Sequence, residues 1–146
     1  MKFKLVYSVM MEDSPSIYIV GLFTSDREAL KEYNKSKKND YDDESNENGN
    51  WCRTEMLDVE ICGEHQYGTD VYIPFSIDWL ECIEEKVMGL FLNEAEAQDV
   101  LYNEYCAIKE TMGRFSDDDR YSDYFHIADD SVMEDVYGII LKTEIR

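Results

Sequence analysis

A short segment of the chain occurs twice, and this repetition constrains the fold more than any other feature. Residues 21–29 (GLFTSDREA) recur as residues 89–97 (GLFLNEAEA), 68 positions later and without a gap, and five of the nine positions are identical. Ser25 and Asn93 stand where a helix N-cap is expected, each with a glutamate three residues further on, the spacing of a capping box. The repeat therefore predicts two copies of a strand that leads directly into a capped helix.

Apolar runs on either side of the repeated segment predict the other elements. We expect strands at residues 3–9, 17–23, 52–61, 71–75, 87–92 and 136–145, and helices at residues 26–36 and 94–112. The second helix has an apolar face at helical spacing, formed by Ala97, Val100, Leu101, Tyr105 and Ile108. Residues 76–86 fit either a short helix or a longer hairpin, since Trp79, Leu80 and Ile83 also match a helical face.

These elements predict an α+β fold of two tandem strand-strand-helix-strand units with mainly antiparallel sheet. The first unit is residues 1–65 and the second, more acidic one is residues 66–146, together forming one compact body. Residues 39–50 and 114–130 are polar, acidic stretches between the helix and last strand of each unit. We expect both stretches to lie outside the packed structure.

The charge of the chain excludes several classes of function. The 146 residues carry 33 Asp and Glu against 14 Lys and Arg, a formal net charge of -19. Binding to phosphates requires Lys and Arg, so direct binding to nucleic acid or to an anionic membrane is not expected. The hydrophobic content of 44% is too high for a fully disordered acidic chain.

The expected location is the cytoplasm. No stretch of about 18 apolar residues is present to span a membrane. The first residues, MKFK, do not begin a secretory signal, and the four cysteines show no pairing pattern.

The acidic residues are concentrated in the second half of the chain. Residues 1–65 hold 14 acids and 8 bases, net -6, whereas residues 66–146 hold 19 acids and 6 bases, net -13. Two tyrosines, Tyr121 and Tyr124, are interleaved with the densest groups, and neighbouring Phe125 fits either an interface or the core. The residues predicted to bind a partner are Asp117, Asp118, Asp119, Asp123, Asp129, Asp130, Glu134, Asp135, Tyr121 and Tyr124.

In size and acidity the chain resembles phage- and plasmid-encoded DNA-mimic inhibitors of the anti-restriction and anti-CRISPR type. The resemblance is one of overall character, since no motif aligns. It implies a basic, nucleic-acid-binding partner, such as a defence nuclease or a CRISPR-type complex, that is bound without catalysis and in place of nucleic acid. The alternative is an acidic interaction or structural module without DNA mimicry, and the oligomeric state stays open.

Metal-binding and catalytic interpretations have weaker support. Residues 44–55 match the ligand spacing of a calcium loop, but the first position is Glu and a strand is expected to follow. Cys62 and His65, with Cys52, would give an incomplete zinc site. The sequence contains no phosphate-binding glycine loop, nucleophile elbow or His-Glu-x-x-His run. We therefore expect no catalytic residues, no metal and no cofactor.

Overall fold

The structure is a computed structural model, and it describes residues 1–42, 50–80, 82–112 and 114–146. This part of the chain forms two units. Unit 1 consists of Met1–Asp70 together with Thr143–Arg146, and unit 2 of Val71–Lys142. Each unit places one helix on one antiparallel-rich sheet, which confirms the expected α+β class. No helix in the described ranges is long and apolar enough to cross a bilayer.

Unit 1 is a four-stranded sheet with helix α1 packed on one face. In chain order its elements are β1 (Lys2–Met11), β2 (Pro15–Phe23), α1 (Asp26–Lys37), β3 (Tyr41–Asp42) and β4 (Trp51–Glu60). The strand order is β2-β1-β4-β3, so the most apolar strand, β1, lies between two neighbours. Apolar side chains alternate to both faces of β1, and its residues from Phe3 to Val9 are almost all buried.

Helix α1 begins where the sequence predicts. The Ser25 hydroxyl accepts a hydrogen bond from the Glu28 backbone N–H at 3.3 Å, which satisfies one free donor of the first turn. The helix contributes Ala29 to a cluster with Val6 and Phe23 on the sheet. At the far end of this helix-covered face, Ser8 and Thr54 are buried polar residues, and their hydroxyl oxygens lie 3.1 Å apart.

Unit 2 is a five-stranded sheet with a longer helix on one face. Its elements are β5 (Asp70–Trp79), β6 (Ile83–Val87), α2 (Glu94–Met112), β7 (Asp117–Arg120), β8 (Tyr124–Asp129) and β9 (Glu134–Glu144). The strand order is β6-β5-β9-β8-β7, with β7 as an edge strand. The predicted apolar face of α2 is confirmed, because Leu101 packs on Phe125, Ile127 and Val136.

Two expectations about local structure are wrong, and a third lies largely outside the described ranges. The strand predicted at residues 87–92 ends at Val87, because the backbone turns through a positive φ at Gly89, and only Phe91 forms a bridge, to Tyr72. Residues 114–130 are not outside the packed structure, since they form β7 and β8 and bury Phe125. Residues 39–50 include the short strand β3, while residues 43–49 lie outside the described ranges.

The open alternative for residues 76–86 is resolved in favour of a hairpin. Strand β5 continues to Trp79, and Trp79 pairs with Ile83 at the start of β6. Two of the three apolar residues that also fitted a helical face, Trp79 and Ile83, therefore form a cross-strand pair, and Leu80 lies between the strands.

Candidate partner-binding surface and acidic cleft

The edge strand β7 carries three consecutive aspartates, and all three are exposed. Successive side chains of a strand alternate between faces, so the triplet is divided. Asp118 is paired with Ile127 and lies on the face covered by helix α2, whereas Asp117 and Asp119 lie on the opposite face. Neither Asp117 nor Asp119 forms an ion pair among the described residues.

Asp118 is engaged within the unit. Its carboxylate accepts hydrogen bonds from the Tyr105 hydroxyl and from the Lys109 ammonium group, both at 2.5 Å. The bond from Lys109, followed by that from Tyr105, lowers the pKa of Asp118 below its ordinary value. Asp118 therefore ties β7 to α2, and its charge is partly compensated before any partner arrives.

The two predicted tyrosines differ in accessibility. Tyr121 is 66% exposed, while Tyr124 is half-buried, and their ring centroids lie 6.3 Å apart. Burial, followed by the charge of Asp119 and the neighbouring Tyr121, raises the pKa of Tyr124. Phe125, which fitted either an interface or the core, is 1% exposed and belongs to the core.

The other predicted acids lie at several places on unit 2. Asp135 is on the same sheet face as Asp117, and its carboxylate lies 2.8 Å from Nε2 of His126. Asp129 is buried and accepts hydrogen bonds from the Ser131 hydroxyl and backbone N–H, which lower its pKa. Asp123 and Asp130 are exposed residues next to β8. The predicted residues thus belong to both faces of the sheet and to its turns.

An aromatic cleft lies between α2 and the segment that joins β7 to β8. It has a volume of about 220 Å³ and is lined by Tyr102, Tyr105, Tyr121 and Phe125, among others. The Arg120 guanidinium lies over the Tyr102 ring at 4.8 Å and over the Tyr105 ring at 5.6 Å from the centroids. These cation–π contacts fill the cleft with a group of this chain.

A second and larger cleft, which we call the acidic cleft, lies beside the C-terminal end of α2. Its volume is about 470 Å³. Five carboxylates and one ammonium group line it, together with two hydroxyl groups and an apolar wall. The lining residues are Asp78, Glu84, Glu85, Glu104, Glu134 and Lys86, with Ser76, Thr111, Ile108, Met112 and Val136.

Two carboxyl groups of the acidic cleft are electrostatically unfavourable. Partial burial, followed by the charge of Glu84, raises the pKa of Asp78. Burial, followed by the charges of Asp78 and Asp129, raises the pKa of Glu134. Among the described lining residues the single cation is Lys86, and it forms an ion pair within the cleft with Glu104, at 3.3 Å, and not with Asp78 or Glu134.

Among the described residues, no group of three or more His, Cys, Asp or Glu side chains is arranged to hold a metal ion. Cys62 and Cys82 are exposed thiols, and His65 is used locally, with Nε2 at 2.8 Å from the Cys62 carbonyl oxygen. Residues 44–49, half of the calcium-like segment 44–55, lie outside the described ranges, and residues 51–55 belong to β4.

Sequence reasoning identified Glu134 but missed Asp78, Glu84 and Ser76 as members of one cleft. Asp78 and Glu84 face each other across the β5–β6 hairpin, where a helix was an equal alternative. One signal was available: Ser76 stands 68 residues after Ser8, the same offset as the repeated segment.

Comparison with known proteins identified no relative: no family model matches the chain, and no significant match was found among curated proteins or solved structures.

Proposed function

We propose that this protein binds a basic, nucleic-acid-handling protein and occupies its nucleic-acid site, as a non-enzymatic inhibitor that acts in the cytoplasm of a host cell. The observation that carries the proposal is the edge strand β7, where two unpaired aspartates face outward together. A partner of the defence-nuclease or CRISPR-type class has the basic groove that this surface would enter. The phage- and plasmid-encoded DNA-mimic inhibitors supply the precedent in size and acidity.

The spacing of these two aspartates supports mimicry of a nucleic acid strand. Asp117 and Asp119 are two residues apart on one strand, which corresponds to about 6.6–6.8 Å along the strand axis. Successive phosphates of one DNA strand rise about 3.4 Å along the helix axis and also turn around it, so their distance in space exceeds this rise and is of the same order as the spacing of the two aspartates. A rigid strand holds this spacing without the entropy cost of ordering a flexible acidic tail.

The net charge of unit 2 also favours a basic partner. Unit 2 contains 17 acidic residues against 5 basic residues, a net charge of -12. A field of this sign accelerates encounters with a basic protein and repels nucleic acid from the same groove. Exposed Tyr121, which follows β7 directly, supplies an aromatic contact of the kind that is enriched at interface centres.

We also propose that the two units arose by duplication of one strand-strand-helix-strand element. In both copies of the repeated segment, a phenylalanine ring lies over the glycine two residues before it. A Cβ atom on Gly21 would lie 2.5 Å from the Phe23 ring, and one on Gly89 would lie 2.8 Å from the Phe91 ring. The strand orders β2-β1-β4-β3 and β6-β5-β9-β8 also correspond, with β7 as an addition to the second copy.

A second candidate is an acidic interaction module without mimicry. It is favoured by the internal pairing of Asp118 with Lys109 and of Asp135 with His126, since acids satisfied within the fold resemble an ordinary solvated surface. Charged edge strands also prevent sheets from joining edge to edge. The two candidates differ in whether nucleic acid competes for the partner.

Competition for a captured partner tests the proposal. The protein is immobilised, basic proteins are bound from a bacterial lysate, and bound protein is eluted with a 20-base-pair duplex or with polyglutamate of equal total charge. We expect the duplex to elute the partner at a concentration at least about tenfold lower than polyglutamate, a difference of about 1.4 kcal/mol. A partner that excess duplex does not displace would exclude the mimicry.

The variants are chosen to leave the fold intact. The double variant Asp117→Asn, Asp119→Asn removes two unpaired charges from β7, and it is expected to weaken partner binding by about tenfold or more. The matched control, Asp13→Asn with Glu64→Gln, removes two exposed charges from unit 1 and is expected to bind as the parent does. Equal affinities of the two double variants would overturn the role of β7.

A further inference from the structure

The acidic cleft of unit 2 is lined by a serine whose hydroxyl makes no hydrogen bond within the described part of the chain. Ser76 is 7% exposed, it lines the cleft, and its side chain has no polar partner there. Its oxygen is not sealed from solvent, so the hydroxyl opens into the cleft and is available to a bound ligand. This observation is independent of the carboxylates around it.

In unit 1, the residue that corresponds to Ser76 is hydrogen-bonded within the fold. Ser8, 68 positions earlier, contacts Thr54, and Thr54 in turn donates its hydroxyl hydrogen to Asp40 at 2.6 Å and its backbone N–H to the same carboxylate at 2.9 Å. Because the single Thr54 proton goes to Asp40, the Ser8 hydroxyl donates to Thr54. Every member of this set has a partner within unit 1.

Among the described residues, the acidic cleft has no comparable set of hydrogen bonds around Ser76. Asp78 and Glu134 interact with each other, carboxyl against carboxyl, and no cation of the described residues forms an ion pair with either of them. The last carbonyl groups of α2, which ends at Thr111 and Met112, add the negative end of the helix dipole. All of these groups favour a cation in the cleft.

The chemistry of the lining selects the kind of cation. A divalent metal needs several oxygen ligands that converge, and the described residues provide no such group. A guanidinium group has five N–H donors in one plane, which suit two carboxylates and a serine oxygen. The apolar wall of Ile108, Met112 and Val136 can cover the methylene stem that carries it.

We infer that the acidic cleft is a docking site for an arginine side chain of the basic partner, with Asp78 and Glu134 binding the guanidinium and Ser76 accepting one of its N–H groups. The inference rests on the proposed function, which supplies a basic partner. It adds a specific anchoring site to the general attraction of the acidic surface, because a bidentate contact in a cleft is specific in geometry as well as in charge.

The test uses the protein alone, with N-acetyl-argininamide as the probe. In a titration followed by ¹⁵N–¹H NMR, we expect saturable shifts of the Ser76, Asp78 and Glu134 amides. The neutral isostere N-acetyl-citrullinamide is expected to leave these amides unchanged. Shifts that are spread evenly over the exposed acids, or equal shifts with the citrulline compound, overturn the inference.

Variants and competing cations sharpen the test. The double variant Asp78→Asn, Glu134→Gln is expected to weaken argininamide binding by about tenfold or more. The control variant Asp117→Asn, Asp119→Asn, which lies outside the cleft, is expected to bind argininamide as the parent does. Unchanged binding by the cleft variant overturns the assignment.

The competing cations identify the occupant. Spermidine and Mg²⁺, each added at the same concentration, are expected to bind more weakly than argininamide. Tighter binding of either one assigns the cleft to a polyamine or to a metal ion and overturns the arginine assignment. Since no partner is present, failure here leaves the duplex competition experiment, and the proposed function that it tests, unaffected.

Discussion

The two units place a serine at corresponding positions of their central strands, and the surroundings of these serines differ. Ser8 lies in a closed set of hydrogen bonds with Thr54 and Asp40. Ser76 faces a cleft of about 470 Å³, in which neither Asp78 nor Glu134 forms an ion pair with a cation of the described residues. The serine of unit 1 is therefore hydrogen-bonded within the fold, whereas that of unit 2 opens onto a cleft with two electrostatically unfavourable carboxyl groups.

The proposed arginine site uses this difference. The Ser76 hydroxyl has no hydrogen-bond partner among the described residues, and Asp78 and Glu134 form no ion pair there, so these groups are available to a ligand. The apolar parts of the two units are similar, because each packs one helix on phenylalanine and β-branched side chains of its sheet. The two units thus differ in the polar groups around Ser8 and Ser76. The predictions below test this difference, from the largest expected effect to the smallest.

The largest effect is expected in the cores, where the two units should behave alike. Phe125 and Phe23 are 1% and 3% exposed, so Phe125→Ala and Phe23→Ala should each lower the free energy of unfolding by about 3–5 kcal/mol. Urea denaturation followed by circular dichroism measures both. A loss below about 1 kcal/mol at either position would contradict the described packing of that unit.

Substitutions near the two serines, Ser8 and Ser76, should have different effects on stability. Thr54→Val keeps the shape of the side chain but leaves Ser8 without an acceptor and removes one of the two hydrogen bonds that residue 54 donates to Asp40, so the free energy of unfolding should fall by about 1–3 kcal/mol. Ser76→Ala removes a hydroxyl that has no partner among the described residues, and it should change stability by less than about 0.5 kcal/mol. Similar losses in both variants would remove the contrast between the units.

The N-caps of α1 and α2 should contribute similarly to stability. The Ser25 hydroxyl accepts from the Glu28 N–H at 3.3 Å, and Oδ1 of Asn93 accepts from the Ala95 N–H at 2.8 Å. Ser25→Ala and Asn93→Ala should each cost about 0.5–2 kcal/mol, read from thermal unfolding. A cap that costs nothing would show that its helix start is set by packing alone.

The smallest effect concerns pH. The pKa of Glu134 is raised by burial, Asp78 and Asp129, so the folded state retains a proton that the unfolded chain has released. Stability from that proton is present at low pH and is lost as pH rises through the raised pKa. Glu134→Gln should reduce the loss of stability with rising pH. At pH 7 it should raise the midpoint temperature of unfolding by about 1–3 °C.

Neighbouring groups enter the same pH profile. Asp78 on β5, Glu84, Glu85 and Lys86 on β6, Glu104 on α2 and Asp129 on β8 all face or border this end of the cleft. The matched control is Asp117→Asn, which lies outside the cleft and should leave the slope of stability against pH unchanged. A Glu134→Gln profile parallel to that of the parent would contradict the assigned pKa shift.

Local patterns predicted most of the secondary structure because they depend on short-range physics. The capped helix starts, the apolar face of α2 and the long strands follow from spacing within a few residues of one another. The strand predicted at residues 87–92 failed because the positive φ at Gly89 is a backbone conformation that a hydrophobic pattern does not encode. The strands in residues 114–130 were missed because β7 gains its stability from pairing with β8, not from its own three aspartates.

The amino-acid sequence by itself determined the α+β class, the segment that occurs twice and the concentration of negative charge in the second half of the chain. Only the tertiary structure decided which acids act together. Strand alternation separates Asp118 from its two neighbours, and the adjacency of β5 and β9 in the sheet brings Asp78 towards Glu134, 56 residues away along the chain. Charge counts are additive along a sequence, whereas a site depends on distances, and these arise only when strands far apart in the chain pair and present one face.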